Sequence, residues 1–333
     1  MTEMSDNSEF DFERRDPHGF LENSAEAIWG DRNLAAIRKY FATDMVSRSP
    51  MRVFENRESL INEAMSDLAE FPDLQMLSED VINCDTGLEK ALDPGLFSAQ
   101  RMTLKASHIG DGQYGQATGK AVQFRVMSDR WYSSEKLYDE WLVRDTAAIL
   151  RQLDQQPEDW ARRILQDMGP EAVAPLTPDR DIEGPYGGLR SGAAWGDELA
   201  ALLKQLMAGE IGAATRRYDP ACEVAYSGGL NFMGHSAVER HWVALRMAFP
   251  TAAFRIEHRL GAEAPHSAPR ASVRWSLYGK HDGPGLFGDP TGCYVYVFGI
   301  TQAEFGPKGL RREYSLIDEA AIWLQILQAK GAF

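Results

Sequence analysis

The chain has 333 residues, of which 44% are hydrophobic and 25% are charged, a composition typical of globular domains. Its formal net charge of -14 argues against nucleic acid or an anionic membrane surface as a partner, because both are bound by basic faces. No apolar run approaches the roughly 20 residues of a membrane span, residues 1–15 do not resemble a signal or transit peptide, and the three cysteines lack metal-pair spacing and suit a reducing compartment. We therefore expect a cytoplasmic protein.

The second half of the chain repeats the first. Residues 29–73 align without a gap with residues 207–251 at an offset of 178, and the offset falls to 173 beyond a loop at 84–100 that is five residues longer in the first half. Such a repeat is far longer than the roughly 20 to 50 residues of a solenoid unit. We therefore expect two whole domains, a first copy over 21–153 and a second copy over 195–333. Aligned pairs include Tyr40 and Tyr218, Arg101 and Arg274, His108 and His281, Glu140 and Glu313, and Asp145 and Asp318.

Helices are predicted near the start of each copy. Residues 1–20 precede them as an acidic, polar leader whose composition is typical of disordered segments. After Asp31, a suitable N-cap, apolar residues recur at helical spacing. A further helix is predicted over 59–70, with a counterpart over 236–248. The apolar positions of the first helix are Leu34, Ile37, Tyr40 and Phe41 in the first copy and Leu203, Leu206, Met207, Ile211, Ala214 and Tyr218 in the second.

Only strand-like runs follow these helices. They cover 74–82, 98–107, 121–131 and 137–144 in the first copy, and 253–260, 271–278, 293–301 and 310–317 in the second. Helices first and strands afterwards predict the α+β class, with an antiparallel sheet folded over its own helices.

The segment between the copies, residues 154–194, has a different composition. A proline at a tolerated first-turn position predicts a short helix over 157–168. Beyond Gly169, several prolines and glycines predict a partly extended linker.

Two glycine motifs are similar to a dinucleotide-binding sequence. Residues 110–115 (GDGQYG) and 283–288 (GPGLFG) both fit G-x-G-x-x-G. That motif binds phosphate where a strand precedes it and a helix begins at its last glycine. Here a strand-like run follows instead, so we interpret these residues as hairpin turns and predict no nucleotide cofactor.

Asp145 and Asp318 are the main catalytic candidates. Each ends a strand-like run, where its carboxylate can reach the mouth of a cavity enclosed by the sheet. Burial among aromatic side chains would raise its pKa and make it a proton shuttle near neutral pH. Helix capping is the alternative, because each aspartate is followed after one residue by Ala-Ala-Ile, which is typical of a terminal helix.

Other polar candidates have equally plain alternatives. His108 and His281 precede the glycine turns and could act as acid, base or hydrogen-bond donor to a ligand, or could be exposed turn residues. Arg101 and Arg274 lie within strands among apolar neighbours, where they could bind a ligand carboxylate or form ion pairs on the sheet surface. No grouping of His, Asp and Glu has metal-motif spacing, so no metal is predicted. Aromatic candidates for substrate contact, which are core residues on the simplest interpretation, are Tyr40, Tyr218, Trp131 and Trp141.

These pieces, in this order, resemble the SnoaL-like polyketide cyclases of the nuclear transport factor two-like superfamily. The resemblance covers about residues 24–153 and, more weakly, 195–328. Its motifs are Tyr40-Phe41-Ala-Thr-Asp44, Phe71-Pro72-Asp73, His108 before Gly112-Gln-Tyr114-Gly115, Thr118-Gly119-Lys120, and Glu140-Trp141 ahead of Asp145 and Gln152-Leu153.

The resemblance implies two tandem cone-shaped α+β barrels, each with a curved antiparallel sheet around its helices and an apolar pocket at its open end. Family members pair through their sheets, so it also implies an intramolecular pseudo-dimer, with further homodimerisation as an option. In the cyclases an aspartate matching Asp145 and Asp318 is the general acid/base of a cofactor-free intramolecular aldol ring closure. The histidine that accompanies it there is missing here, and Trp131 and Glu304 stand nearest its place.

Three functions are consistent with these features. The leading hypothesis is a cofactor-free enzyme of the cyclase, isomerase or hydrolase type acting on a small, mostly apolar organic molecule, with Asp145 or Asp318 moving the proton and His108 or His281 assisting. The second is a carrier or sensor of such a molecule, and the third is an assembly scaffold whose cones are filled by their own side chains. The two copies need not be equivalent, since Lys120, for example, becomes Cys293.

Overall fold

The structure is a computed structural model that describes residues 17–85, 95–133, 136–182, 184 and 194–333. Most of the predicted leader, part of the longer loop of the first copy and much of the proline- and glycine-rich linker lie outside the described residues. The helices are α1 Pro17–Ala25, α2 Ile37–Tyr40, α3 Arg57–Glu70, α4 Thr146–Gln152, α5 Pro157–Met168, α6 Ala194–Met207, α7 Ala213–Arg217, α8 His235–Ala248 and α9 Glu319–Lys330. Short 3-10 or π turns cover Glu26–Gly30, Leu34–Ala36 and Pro170–Ala172.

The strands form two six-stranded sheets with the same order. The strands are β1 Phe41–Ser49, β2 Arg52–Phe54, β3 Gln75–Asp85, β4 Gly95–Ser107, β5 Ala121–Ser133, β6 Lys136–Arg144, β7 Tyr218–Tyr226, β8 Leu230–Met233, β9 Ala253–Ala262, β10 Arg270–Lys280, β11 Tyr294–Gly306 and β12 Gly309–Ile317. The order is β2-β1-β6-β5-β4-β3 in the first copy and β8-β7-β12-β11-β10-β9 in the second. The duplicated α+β fold predicted from the sequence is confirmed.

The sheets are mixed rather than purely antiparallel. β1 pairs with β6, and β7 with β12, in parallel, while the other neighbours are antiparallel. The sequence-based prediction missed β1, β2, β7 and β8 and therefore also the fact that α3 and α8 lie between strands. The predicted first helix ends at Tyr40, and β1 begins at Phe41. The cause is that apolar spacing continues unbroken from the short helix into the strand, whose Phe41, Ala42 and Met45 are buried.

The glycine motifs form turns, as predicted. Gly112 and Gly115 bridge to each other, β5 follows, and Gly115 has a φ of 103°, a conformation that favours glycine. Gly110 allows close packing, because a Cβ there would lie 2.0 Å from the carbonyl oxygen of Ala69 at the end of α3. The second copy has the equivalent bridge between Gly285 and Gly288.

The two copies differ in how their interiors are filled. One large cluster of buried apolar residues fills the second copy, and its largest members are Trp242 and Trp275, both 0% exposed. The first copy instead has two separate clusters, one of which includes Ala320, Leu324 and Leu327 from α9 of the second copy. The helix α9 also packs against α5, which occupies the residues predicted for the linker helix. Among the described residues no helix is long and apolar enough to cross a membrane.

Candidate functional site

Two adjoining cavities lie between the helices and the sheet of the first copy. Their volumes are about 80 and 110 Å³, and they share wall residues that include Trp29, Leu60 and Leu142. The smaller cavity is otherwise lined mainly by apolar side chains, with a few polar groups converging on it. Such a lining is typical of sites for small organic molecules, while the volumes are smaller than the roughly 300–1,000 Å³ of most ligand pockets.

Two ion pairs supply most of the charge in these walls. Arg144 binds Asp67 through two hydrogen bonds of 2.9 and 2.5 Å. The Nε of Arg130 donates to Glu140 Oε1 at 2.6 Å, and Ser47 donates to the other oxygen of Glu140 at 2.6 Å. Because each cation already has a carboxylate partner, the walls suit an uncharged ligand better than an ion.

The second copy lacks both ion pairs. By the offsets of the repeat, Leu245 stands at the position of Asp67, Ile317 at that of Arg144, and Ala303 at that of Arg130. Trp242 and Trp275 also replace the smaller Ala64 and Met102, and both indoles lie in the core. The candidate site therefore belongs to the first copy, and the second copy is filled by its own side chains.

One carboxylate of this set, Glu313, is retained in the second copy. It occupies the position of Glu140 but accepts hydrogen bonds from neutral groups, the Tyr218 hydroxyl at 2.5 Å and the Trp242 Nε1 at 3.2 Å. Burial raises the pKa of Glu313 to about 7, although these donors oppose the shift.

Asp145 is a helix cap that also reaches the second copy. Its carboxylate accepts from the backbone N–H of Ala148 at 3.1 Å, of Gly228 at 2.7 Å and of Gly229 at 2.9 Å. Burial raises the pKa of Asp145 to about 6, although these three donors favour the charged form. Asp145 does not line the two cavities, because the turn between β7 and β8 covers its carboxylate.

Asp318 is also a cap, and it lines the larger cavity of the first copy. Its Oδ1 accepts from the backbone N–H of Ala320 at 3.1 Å and of Ala321 at 3.3 Å, while its Oδ2 accepts from the Thr146 hydroxyl at 2.8 Å. Burial raises the pKa of Asp318 to about 7, and the nearby charge of Asp145 contributes in the same direction. Asp318 therefore caps a helix and lines a cavity at the same time, although the sequence suggested these two roles as alternatives.

Tyr114 connects Asp318 electrostatically to the ion pair of the first copy. Its side chain is 1% exposed and lines the larger cavity. Burial raises the pKa of the Tyr114 hydroxyl, which therefore stays protonated; the positive charge of Arg144 opposes the shift, and the charges of Asp67 and Asp318 add to it. The second copy has Phe287 at this position.

The two candidate histidines hold the glycine turns. His108 contacts Glu70 (Nε2 to Oε1, 3.3 Å) and Thr118 (Nδ1 to Oγ1, 3.2 Å), and Glu70 also accepts from the backbone N–H of Tyr114 at 2.7 Å. His281 makes the equivalent contact with Thr291 at 3.1 Å, and burial lowers the pKa of His281. The alternative of an exposed turn histidine was wrong, since both are 0% exposed. Neither lines the two cavities, so the structure gives both an architectural position.

Arg101 and Arg274 lie between the two sheets and line neither of the two cavities of the first copy; Arg101 instead lines an open cleft of about 650 Å³ between the copies. The guanidinium carbon of Arg101 lies 3.6 Å from the ring centroid of Tyr314, and that of Arg274 lies 3.7 Å from that of Trp141. Arg101 donates to Gln302 at 2.9 Å, and Arg274 donates to Asp129 at 2.8 Å. These matched contacts cross between the copies, so both arginines are satisfied without a ligand.

The aromatic candidates are packed in cores or at the contact between the sheets. Tyr40 packs on Phe20 with ring centroids 5.7 Å apart, and the Tyr218 hydroxyl is bonded to Glu313. Trp131 packs on Tyr138 at 5.8 Å, whereas the guanidinium carbons of Arg48 and Arg274 lie 4.4 and 3.7 Å from the centroid of the Trp141 ring. The two cavities are lined by none of Tyr40, Tyr218, Trp131 and Trp141.

Sequence reasoning missed most of the polar wall residues. Comparing the two copies could have identified them. Where a charged residue in one copy aligns with an aliphatic residue in the other, the position is expected to be buried in both copies but polar in only one. Asp67 with Leu245 and Glu70 with Ala248 carry this signal with both residues buried, while the partly buried Arg130 and Arg144 align with the buried Ala303 and Ile317. In the part of the chain that the structure describes, no three His, Cys, Asp or Glu side chains are grouped so as to hold a metal ion.

Comparison with known proteins supports the resemblance noted in the sequence. Residues 21–153 match the family model described as SnoaL-like polyketide cyclase, so the resemblance is confirmed for the first copy. No protein with a curated description matches the chain in sequence.

Solved structures with similarity to this chain include AclR, a putative hydroxylase from Streptomyces galilaeus (22% identity, TM-score 0.35, covering 41% of this chain and 79% of that chain). Another is IdmH, a putative polyketide cyclase from Streptomyces antibioticus (18% identity, TM-score 0.36, covering 41% and 98%). A third is a putative SnoaL-like polyketide cyclase from Jannaschia Sp. CCS1 (18% identity, TM-score 0.34, covering 42% and 97%).

Proposed function

We propose that the first copy binds a small, uncharged and mostly apolar molecule in its cavities and catalyses a cyclase- or isomerase-type reaction by general acid/base catalysis. The observation that carries the proposal is that the first copy has two ion pairs in its cavity walls, Asp67 with Arg144 and Glu140 with Arg130. In the second copy, three of these four positions hold aliphatic residues. Each pair has a buried carboxylate and a partly buried arginine. Ion pairs withdrawn from water are seldom the most stable filling of a core, so their presence in one copy alone favours a functional reason. The family match of residues 21–153 supports the same class of reaction.

The chemistry requires a group that takes a proton from carbon and gives it back. Removal of a proton next to a carbonyl leaves the electron pair of the C–H bond in an enolate. The enolate carbon then attacks a second carbonyl to close a ring, or it is protonated at a different carbon to give an isomer. A wall carboxyl with a pKa near neutrality can serve as base and then as acid, and the Tyr114 hydroxyl and the Arg144 guanidinium are wall donors for the developing oxyanion.

A pair of simple probes separates this proposal from the carrier and scaffold hypotheses. Phenol reports entry into the cavities through the methyl NMR signals of Met51 and Met102, which line the larger and the smaller cavity. Cyclohex-3-enone reports catalysis, because moving one proton from its C2 to its C4 gives conjugated cyclohex-2-enone, which is followed by absorbance.

We expect phenol to shift both methionine signals and the protein to accelerate the isomerisation above the rate in buffer. Entry of phenol without acceleration would indicate a carrier, and absence of entry would indicate a scaffold. The control is the double variant Asp67→Leu with Arg144→Ile, which gives these two positions the side chains of the second copy and should abolish both responses.

A further inference from the structure

The aspartates that end β6 and β12 are equivalent in the repeat but have unequal surroundings. Each caps its own helix and also accepts a hydrogen bond from the other copy. Asp145 meets two backbone N–H groups of the turn between β7 and β8, whereas Asp318 meets one side-chain hydroxyl, that of Thr146. The difference must come from the residues that face them, because both aspartates begin a similar terminal helix.

The facing turns differ in their ability to donate hydrogen bonds. At the offset of 178, Gly228 and Gly229 align with Pro50 and Met51. The two glycines have φ values of 82° and 71°, which favour glycine, and both of their N–H groups point at Asp145. Proline has no N–H, so the first-copy turn cannot form the same double contact with Asp318. Its carbonyl is instead fixed by the backbone N–H of Leu176 at 3.0 Å.

The missing contact leaves Asp318 at the wall of a cavity. Met51, Thr146, Tyr114 and Asp318 all line the cavity of about 110 Å³ in the first copy. The Oδ1 of Asp318 is held by two backbone N–H groups of α9, so Oδ2 is the oxygen that remains for a ligand beside the Thr146 hydroxyl.

We infer that Asp318, carried by the second copy, is the proton-transfer group of the cavity in the first copy. Asp145 is then an interdomain latch, meaning a residue whose hydrogen bonds to Gly228 and Gly229 hold the two copies together. The inference rests on the proposed function, and it makes the active site composite. The second copy then has a functional role even though its own interior is filled.

The charges around Asp318 suit a group that both accepts and returns a proton. Asp145 faces it from the end of β6 and disfavours its ionisation, and the neutral Tyr114 faces it from the glycine turn. Beyond Tyr114, the positive charge of Arg144 is neutralised by the negative charge of Asp67. Oδ2 takes a proton from a ligand C–H bond, the electron pair of that bond passes into the ligand carbonyl, and the same oxygen returns the proton at another carbon. The carboxylate is thereby restored, and no other reactant is required.

The test compares the two aspartates in the full chain. Protein labelled with ¹³C at aspartate Cγ and at methionine methyl groups is titrated with phenol at neutral pH, and the variants Asp145→Asn and Asp318→Asn assign the two carboxyl signals. We expect phenol to shift the signals of the Met51 methyl and the Asp318 carboxyl, and to leave that of Asp145 in place.

A shift at Met51 without a shift at Asp318 would overturn the composite site and leave the cavity proposal standing. No shift at Met51 would remove the proposed function and this inference with it.

Catalysis gives the second readout. Asp318→Asn should lower the rate of cyclohex-3-enone isomerisation by about a hundredfold, which is the low end for loss of a general base. Asp145→Asn removes only a neighbouring charge and should lower the rate less than Asp318→Asn does, measured where circular dichroism shows both variants folded. A larger loss in Asp145→Asn than in Asp318→Asn would overturn the inference.

Discussion

The hydroxyl of Thr146 in the first copy donates a hydrogen bond of 2.8 Å to Oδ2 of Asp318 in the second. This contact joins the first residue of α4 to the N-cap of α9, so the ends of the two sheets are held together at the wall of the larger cavity. A carboxyl group from one copy is thereby brought to the interior of the other.

The latch around Asp145 makes Gly228 a sensitive position. A Cβ at Gly228 would lie 1.5 Å from Nη1 of Arg151, and the φ of 82° is strained for alanine. We expect Gly228→Ala to lower the free energy of unfolding by about 2–4 kcal/mol, from strain of about 1–2 kcal/mol together with a weakened hydrogen bond to a buried carboxylate.

The control is Gly209→Ala. Gly209 has a similar φ of 91°, but a Cβ added there would have no neighbouring atom of the described residues within 4 Å. Urea denaturation of the two variants separates the latch from backbone strain alone. Equal losses of stability would contradict a latch at Gly228.

The ion pair of Asp67 and Arg144 should behave as a functional feature and not as a stabilising one. We expect Arg144→Ile alone to lower the free energy of unfolding by about 1–3 kcal/mol, because it leaves the buried Asp67 carboxylate without its partner. Adding Asp67→Leu should restore much of that loss, since buried ion pairs can often be replaced by apolar residues at no net cost. A double-mutant cycle in urea measures both effects, and a double variant less stable than Arg144→Ile would contradict this account.

Glu313 should make the protein less stable as the pH rises towards neutrality. Its pKa is about 7 in the folded protein and 4.5 when unperturbed, so the folded state binds a proton that the unfolded state releases. The associated stability is complete below pH 4.5 and is lost as the pH rises through 7; it amounts to roughly 3 kcal/mol at 1.36 kcal/mol per pKa unit.

Asp145 and Asp318, with pKa values raised to about 6 and about 7, act in the same direction. Thermal unfolding between pH 5 and pH 8 should therefore show a falling stability, and Glu313→Gln should make the profile shallower. If the dependence of stability on pH is unchanged in Glu313→Gln, Glu313 is not a protonated, neutral carboxyl in the folded protein.

The turn at Pro50 offers a gain-of-contact experiment. The double variant Pro50→Gly with Met51→Gly gives the first copy the glycine pair of the second. Pro50→Gly adds an N–H donor, and Met51→Gly lets the N–H already present at that position adopt the positive-φ turn geometry, so both can stabilise the charged form of Asp318. The pKa of Asp318 should therefore fall from about 7, and the isomerisation rate should fall with it. Carboxyl ¹³C titration measures the pKa, and Met51→Gly alone is the control. A pKa of Asp318 that does not fall would show that the turn does not decide which aspartate is available.

Much of the fold was predictable because it rests on local patterns. The helices α3 and α8 and all eight of the predicted strands follow from apolar periodicity and turn glycines, and the predicted linker helix has the observed bounds Pro157–Met168. The strands β1 and β7 were missed because their buried residues continue the spacing of the preceding short helix. The strands β2 and β8 were missed because they are only 3 and 4 residues long and have no buried residue. The parallel pairing of β1 with β6 and of β7 with β12 depends on contacts between residues nearly a hundred positions apart in the sequence. No local pattern predicts such contacts.

The site was less predictable because it depends on contacts between the copies. Asp145 and Asp318 have closely similar sequence contexts, and only the folded chain shows that Gly228 covers one and Pro50 leaves the other at a cavity. Arg101 and Arg274 illustrate the same point, since their partners Tyr314 and Trp141 lie on the opposite sheet.

A crystal structure of the full chain soaked with phenol tests the composite site most directly. We predict that the phenol oxygen lies within about 3 Å of Asp318 Oδ2, the ordinary range of a hydrogen bond, with its ring in the cavity of the first copy beside Met51 and Leu142. Phenol bound in that cavity without contact to Asp318, or bound in the core of the second copy, would contradict the account.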